Sequence, residues 1–184
     1  MAIYAPESGK SFAKPASGKY IGTVIDVVDL GICKSKNPQF PDPVHRVQIV
    51  WLLNILGSDG KPVEYSEAPS VKLSEPGKYR ASRLYEIASG ILQGPIPQPF
   101  TTFDIESVIG KSNELFIVKT GEGNDARSTI AGFLPVPPGV TPPGIPVDYK
   151  RKPHKTAAAP AGQPAQPTQP AQPAQAAPQA EVKF

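Results

Sequence analysis

The side chains best suited to covalent or acid–base chemistry are few in this 184-residue chain, and they do not converge. The histidines are His45 and His154, and the only cysteine is Cys33. One thiol excludes an internal disulfide, and with two histidines it does not make a zinc site. The pattern suits a reducing cytosol. A nucleophile needs a base beside it; His154 lies in a basic, proline-flanked run and His45 stands alone at the start of an apolar stretch. The carboxylates are scattered, and no pair suits general acid–base work. "GKS" (Gly110 to Ser112) has the ending of a phosphate loop. That loop needs a glycine five residues before Gly110, where Ile105 stands, and it opens a helix rather than a strand. A tight turn into a strand is the expectation here. These residues predict no enzyme, no cofactor and no bound metal.

Binding chemistry is better represented. A single-stranded nucleic acid needs cations for its phosphates and aromatic faces for its bases. Lys34, Lys36 and Phe40 fall in a turn-rich stretch, "CKSKNPQFPDP", and Arg46 lies on the polar side of the strand that follows. Tyr65 and Lys72 belong to a weaker return strand, and Lys119 and Arg127 flank a later turn. Lys150, Arg151 and Lys152 form a basic run, "YKRKPHK", which reads either as an added phosphate contact or as a solubilising junction. Each cation taken alone reads equally as a solvated surface side chain. Trp51 alternates with Val47, Ile49 and Leu53, and is expected in the core rather than against a base. Overall charge demands no polyanion: residues 1–149 hold 14 Lys+Arg against 15 Asp+Glu, and the formal +3 arises beyond them.

These residues must be positioned by strands. "KYIGTVIDVVDLG" (Lys19 to Gly31) is β-branched, and Gly22 suggests a bulge or sharp bend. "VHRVQIVWLLNIL" alternates for most of its length, with Val47, Ile49, Trp51, Leu53 and Ile55 on one side and Arg46, Gln48 and Asn54 on the other. "GSDGKP" is a hairpin signal, and Val63 to Leu73 reads as the third strand. "KYRASRLYEIASGIL", residues 78–92, is the one plain helix. Ser74 is its expected N-cap. Ala81, Leu84, Tyr85, Ala88, Ile91 and Leu92 make its apolar stripe, and Arg80, Arg83 and Glu86 fall opposite. Glu114 to Thr120 and Arg127 to Leu134 are the last strands. A helix between the third and fourth of five strands predicts an all-β fold with one helix, a five-stranded OB-fold-like barrel.

The flanks differ in texture. Residues 1–17 read as a flexible N-terminal arm, 18–148 as the nucleic-acid-binding domain, and 149–184 as a basic junction and a disordered Pro/Ala/Gln-rich C-terminal tail. That tail repeats "PAQPTQPAQPAQ" and buries nothing. No signal-peptide core or membrane-length apolar run occurs, so a soluble protein of the cytoplasm is expected.

With these blocks in order, the chain resembles phage-encoded OB-fold single-stranded-DNA-binding proteins. "GKYIGTVIDVVDLG", "VHRVQIVWLL", "KLSEPGKYRASRLYEIASGIL", "VIGKSNELFIVKT" and "STIAGFLPVPPG" follow the family's order over about Gly18 to Gly139. They include its D-V-x-x-L-G corner, its Leu-Ser entry to the helix and its Gly-Lys step before the fourth strand. A Leu/Trp-rich helix end common in relatives is replaced by "IASGILQG". The tail ends in Phe184, but Glu181 and Lys183 cancel, unlike the acidic tips of relatives. The resemblance implies non-sequence-specific binding of single-stranded DNA in phage replication or recombination, in the host cell cytoplasm. Replication or recombination proteins are the implied partners, with the protein acting alone or as a homo-oligomer. The alternative is a non-enzymatic protein-interaction or scaffold module on the same barrel, favoured by the near-neutral domain.

Overall fold

The computed structural model describes residues 15–34, 41–57, 60–77, 80–121 and 127–154. Five antiparallel strands form one sheet in the order β3-β2-β1-β4-β5. They are β1 (Gly18–Cys33), β2 (Val44–Leu56), β3 (Pro62–Glu67), β4 (Ser112–Thr120) and β5 (Arg127–Leu134). The long central β1 pairs with β2 along most of its length and with β4 through its first half. Serving both neighbours requires curvature, and two register shifts supply it, between Val24 and Asp26 and between Asp29 and Gly31. Gly31 adopts φ 63°, a left-handed conformation that a glycine reaches without a Cβ penalty. Gly22, expected at a bulge, instead lets strands approach: a Cβ there would stand 2.6 Å from Leu115 Cδ1. Among the described residues no backbone ladder joins β3 to β5, so the sheet is not closed.

One face of the sheet builds the main core. Val24, Val27, Val47, Ile49, Trp51, Leu53, Leu115, Ile117 and Ile130 project from the strands onto Leu84, Ile87 and Ile91 of the helix α1 (Arg83–Leu92). Trp51 is fully buried, with Tyr65 and Phe133 at ring-centroid distances of 6.0 and 6.5 Å. The other side of α1, Tyr85 and Ala88, packs under Ile96, Phe100 and Phe103. The helix is therefore covered on two sides; Ile87, outside the expected stripe, is buried on the sheet side with Leu84 and Ile91.

The helix is shorter than its sequence signal. Ser82, not Ser74, is the N-cap: its side chain accepts from Tyr85 N and also from Ser74 N, while Ser82 N donates to Ser74 O. Pro76 thus precedes the helix rather than opening it. β3 is shorter too: after Glu67 the regular ladder stops, and the chain rejoins β2 through an isolated bridge of Ser70 with Arg46, with Val47 N donating to Pro69 O and Val71 N donating to His45 O. "GKS" makes a turn into β4, in which Gly110 N donates to Val24 O and Val24 N donates to Lys111 O beside the first bulge.

The opposite face of β1 and β2 is also covered. Ile25, Val50 and Leu52 form a small apolar patch under Tyr149. Residues 149–154, expected as a junction outside the domain, lie back across this face. The wholly buried Asp26 carboxylate accepts from the Tyr149 hydroxyl, Arg151 Nε and Lys152 N. At the other end of the chain, Lys119 N donates to Ser17 Oγ and Ser128 Oγ donates to Pro15 O, so residues 15–17 of the expected arm are tied to β4 and β5. Arm residues 1–14 and the tail from Lys155 lie outside the described residues.

Candidate nucleic-acid interface

Lys34, Lys72, Lys119, Arg127 and Lys150 are exposed, and none forms an ion pair with a described residue. Lys34 follows β1, Lys72 lies in coil rather than on the third strand, and Lys119 and Arg127 lie at the end of β4 and the start of β5, in the adjacent pairs Lys119–Ser128 and Thr120–Arg127, which point to opposite faces of the sheet. Lys36 and Phe40 fall outside the described residues.

The remaining predicted residues are engaged within the fold. Tyr65 was expected to face outward and stack on a base; it is 4% exposed, and its hydroxyl donates to Glu67 Oε1 and lies 2.9 Å from Ser128 O. Burial, reinforced by the Glu67 charge, pushes its ionisation well above the usual phenol range. It therefore cannot serve as a stacking platform in this arrangement. Its inward orientation follows from strand register: Tyr65 pairs with the inward-facing Trp51. Arg46 is half-buried, with Nη1 donating to Ala68 O. Arg151 bridges Asp26 and Glu106, and Lys152 Nζ lies 3.5 Å from Glu64. Of the basic run, Lys150 is the residue turned freely to solvent.

Electrostatics separate the two outer halves of the sheet. The half under residues 149–154 holds Asp26, Asp29 and Glu64, with Glu106 beside it on a short 3-10 turn, Ile105–Val108. Glu106 is held below the usual carboxylate range by its bonds from Arg151. Asp29 is held low by the Gly31 N–H and then by His45, whose Nε2 lies 2.6 Å away. Asp29 N donates to His154 Nδ1, which leaves the ring hydrogen on Nε2, 3.5 Å from Glu106. Glu106 and Asp26 in turn raise the Arg151 ionisation. These four carboxylates meet three cations of the overlying segment, Lys150, Arg151 and Lys152. The other half, formed by the start of β1 with β4 and β5, presents Lys19, Glu114 and Arg127, with Lys119 at its margin.

Between the helix and β5 a groove of about 730 Å³ is lined by Arg80, Arg83, Glu86 and Thr129 to Phe133. Its cations are committed: Arg83 reaches both oxygens of Glu67 and the Ile130 carbonyl, and Arg80 pairs with Glu86. Arg83 was expected on the solvent side of the helix; instead it joins β3 to β5. Burial opposes the charge of Glu86, but Arg80 and Arg83 outweigh it and hold the carboxyl low.

Sequence reasoning missed Phe116, the one exposed aromatic ring among the described residues, at 44% exposure. The signal was its outward place in "ELFIVKT", between the buried Leu115 and Ile117. Among the described residues no group of three or more His, Cys, Asp or Glu side chains is placed to hold a metal ion. None of their helices is long and apolar enough to cross a membrane. No family model matches the sequence, and no curated protein is significantly similar to it.

Proposed function

We propose that this chain is a non-enzymatic, OB-type single-strand-binding protein that holds single-stranded DNA without sequence preference. The observation that carries the reading is connectivity: a five-stranded sheet in the Greek-key order β3-β2-β1-β4-β5, with the helix α1 between β3 and β4. An OB barrel has this strand order, with β3 and β5 brought together. Here side chains span the gap in place of a ladder, through Tyr65 to Ser128 O, Glu67 to Ile130 N and Arg83 to Ile130 O. The cations Lys34, Lys72, Lys119, Arg127 and Lys150, which form no ion pair with a described residue, supply the phosphate contacts. Replication or recombination proteins of a phage-infected cell would be the partners.

Titration of labelled oligo-dT at about 50 and 200 mM salt tests the reading, because phosphate contacts release counterions and affinity falls with salt. Replacing Lys34, Lys119 and Arg127 together by alanine should weaken binding more than removal of residues 156–184. It should also flatten the logarithmic salt slope by about 2. No binding at low salt, or binding without a slope, would sink the proposal.

One observation favours a second reading, a non-enzymatic protein-interaction module on the same barrel. The acidic outer half of the sheet already holds a basic peptide, the chain's own residues 149–154. Oligo-dT binding by the full chain separates the two.

A further inference from the structure

We propose that a base of the bound strand stacks on Phe116, on the outer face of the β1–β4–β5 half, with Lys19 and Arg127 taking flanking phosphates. This placement rests on the single-strand reading above. Strand pairing puts Lys19, Phe116 and Gly132 side by side in one row across β1, β4 and β5. Directly opposed side chains on a sheet stand about 5 Å apart, so the row sets an ammonium beside a ring beside an empty position. An aromatic opposite a glycine ordinarily leans over it and covers the bare backbone. Phe116 does not: a Cβ built on Gly132 would meet nothing within 4 Å. The ring therefore has no cross-strand packing role at its glycine neighbour, and it remains 44% exposed.

The charges around it suit an anion better than those of the covered half. The Lys19 side chain is 59% exposed and meets the largely buried Glu114 carboxylate only at 3.8 Å, a long contact that leaves its ammonium open to solvent. Arg127 has the same outward register through its pairing with Thr120, about 13 Å along the strand from Phe116 at the usual rise per residue. Between them lie Val118 and Thr129, which add no negative charge. The opposite half is blocked by residues 149–154 and, with the adjoining Glu106, presents four carboxylates. An exposed ring flanked by cations is the combination that holds single strands through base stacking and phosphate contact.

The test compares labelled oligo-dT with an abasic oligonucleotide of equal length, which has the phosphates and no bases. Phe116→Leu keeps an apolar side chain and removes the flat face. It should weaken oligo-dT about tenfold while leaving the abasic strand within about twofold. Equal weakening of both ligands, or of neither, overturns the placement. Phe116→Trp gives a second measurement independent of any change in folding stability: its added emission should be quenched by oligo-dT and not by the abasic strand. Absence of that difference also overturns it. If the unmodified protein fails to bind oligo-dT at low salt, the single-strand reading falls, and this placement with it.

Discussion

The carboxylate of Glu67 accepts from the Arg83 guanidinium, the Ile130 N–H and the Tyr65 hydroxyl, so one side chain links α1, β5 and the core. It stands where β3 and β5 face each other without a ladder. Glu67→Ala leaves the Ile130 N–H unpaired and strips the half-buried Arg83 guanidinium of its nearest carboxylate, leaving it Glu86 and the Ile130 carbonyl, and the expected loss is about 2–3 kcal/mol. Thermal unfolding checks this, and Arg83→Ala should cost less, because Glu67 keeps its other two donors. A loss under about 1 kcal/mol for Glu67→Ala would mean the strand edges are held by packing alone. None of this was legible in the sequence. Arg83 sits opposite the apolar stripe, and periodicity places such a residue in water. Its partners, 16 and 47 residues away, become neighbours only when the sheet curves.

At the scale of elements, alternation and periodicity located every strand and the helix, but not the ends that depend on contacts. The helix signal extends from residue 78, yet helical backbone starts at Arg83, where Ser82 Oγ accepts from Tyr85 N. Ser82→Ala removes that cap and the bond from Ser74 N, and should cost about 1–2 kcal/mol; Ser74→Ala should stay within about 0.5 kcal/mol, since Ser74 contributes backbone atoms. Denaturant unfolding of the two variants decides it, and the reverse ranking would return the cap to Ser74. β2 held a further clue. Val50 and Leu52 break the alternation on the face assigned to Arg46, Gln48 and Asn54, and an apolar pair on an outward face requires a cover. The cover is Tyr149, nearly a hundred residues on.

For the molecule as a whole, residues 149–154 are a structural layer. Removing residues 149–184 uncovers Ile25, Val50 and Leu52 and takes away the Tyr149, Arg151 and Lys152 donors of Asp26, whereas removing 156–184 spares all of these contacts. The longer truncation should lower Tm by roughly 10 °C, and the shorter one should leave it within about 2 °C. Calorimetry of both chains checks this; equal Tm values would make the layer dispensable. By itself the sequence determined the strands, the single helix, the place of Trp51 and the scarcity of groups for catalysis, because each of these depends on residue type and short-range spacing. Only the tertiary structure decided which cations are free. Arg83, Arg151 and Lys152 meet carboxylates far away in the chain, Tyr65 turns inward, and Phe116 is left facing water. Pairing and burial depend on which distant residues the curved sheet brings together, and local spacing carries no record of that.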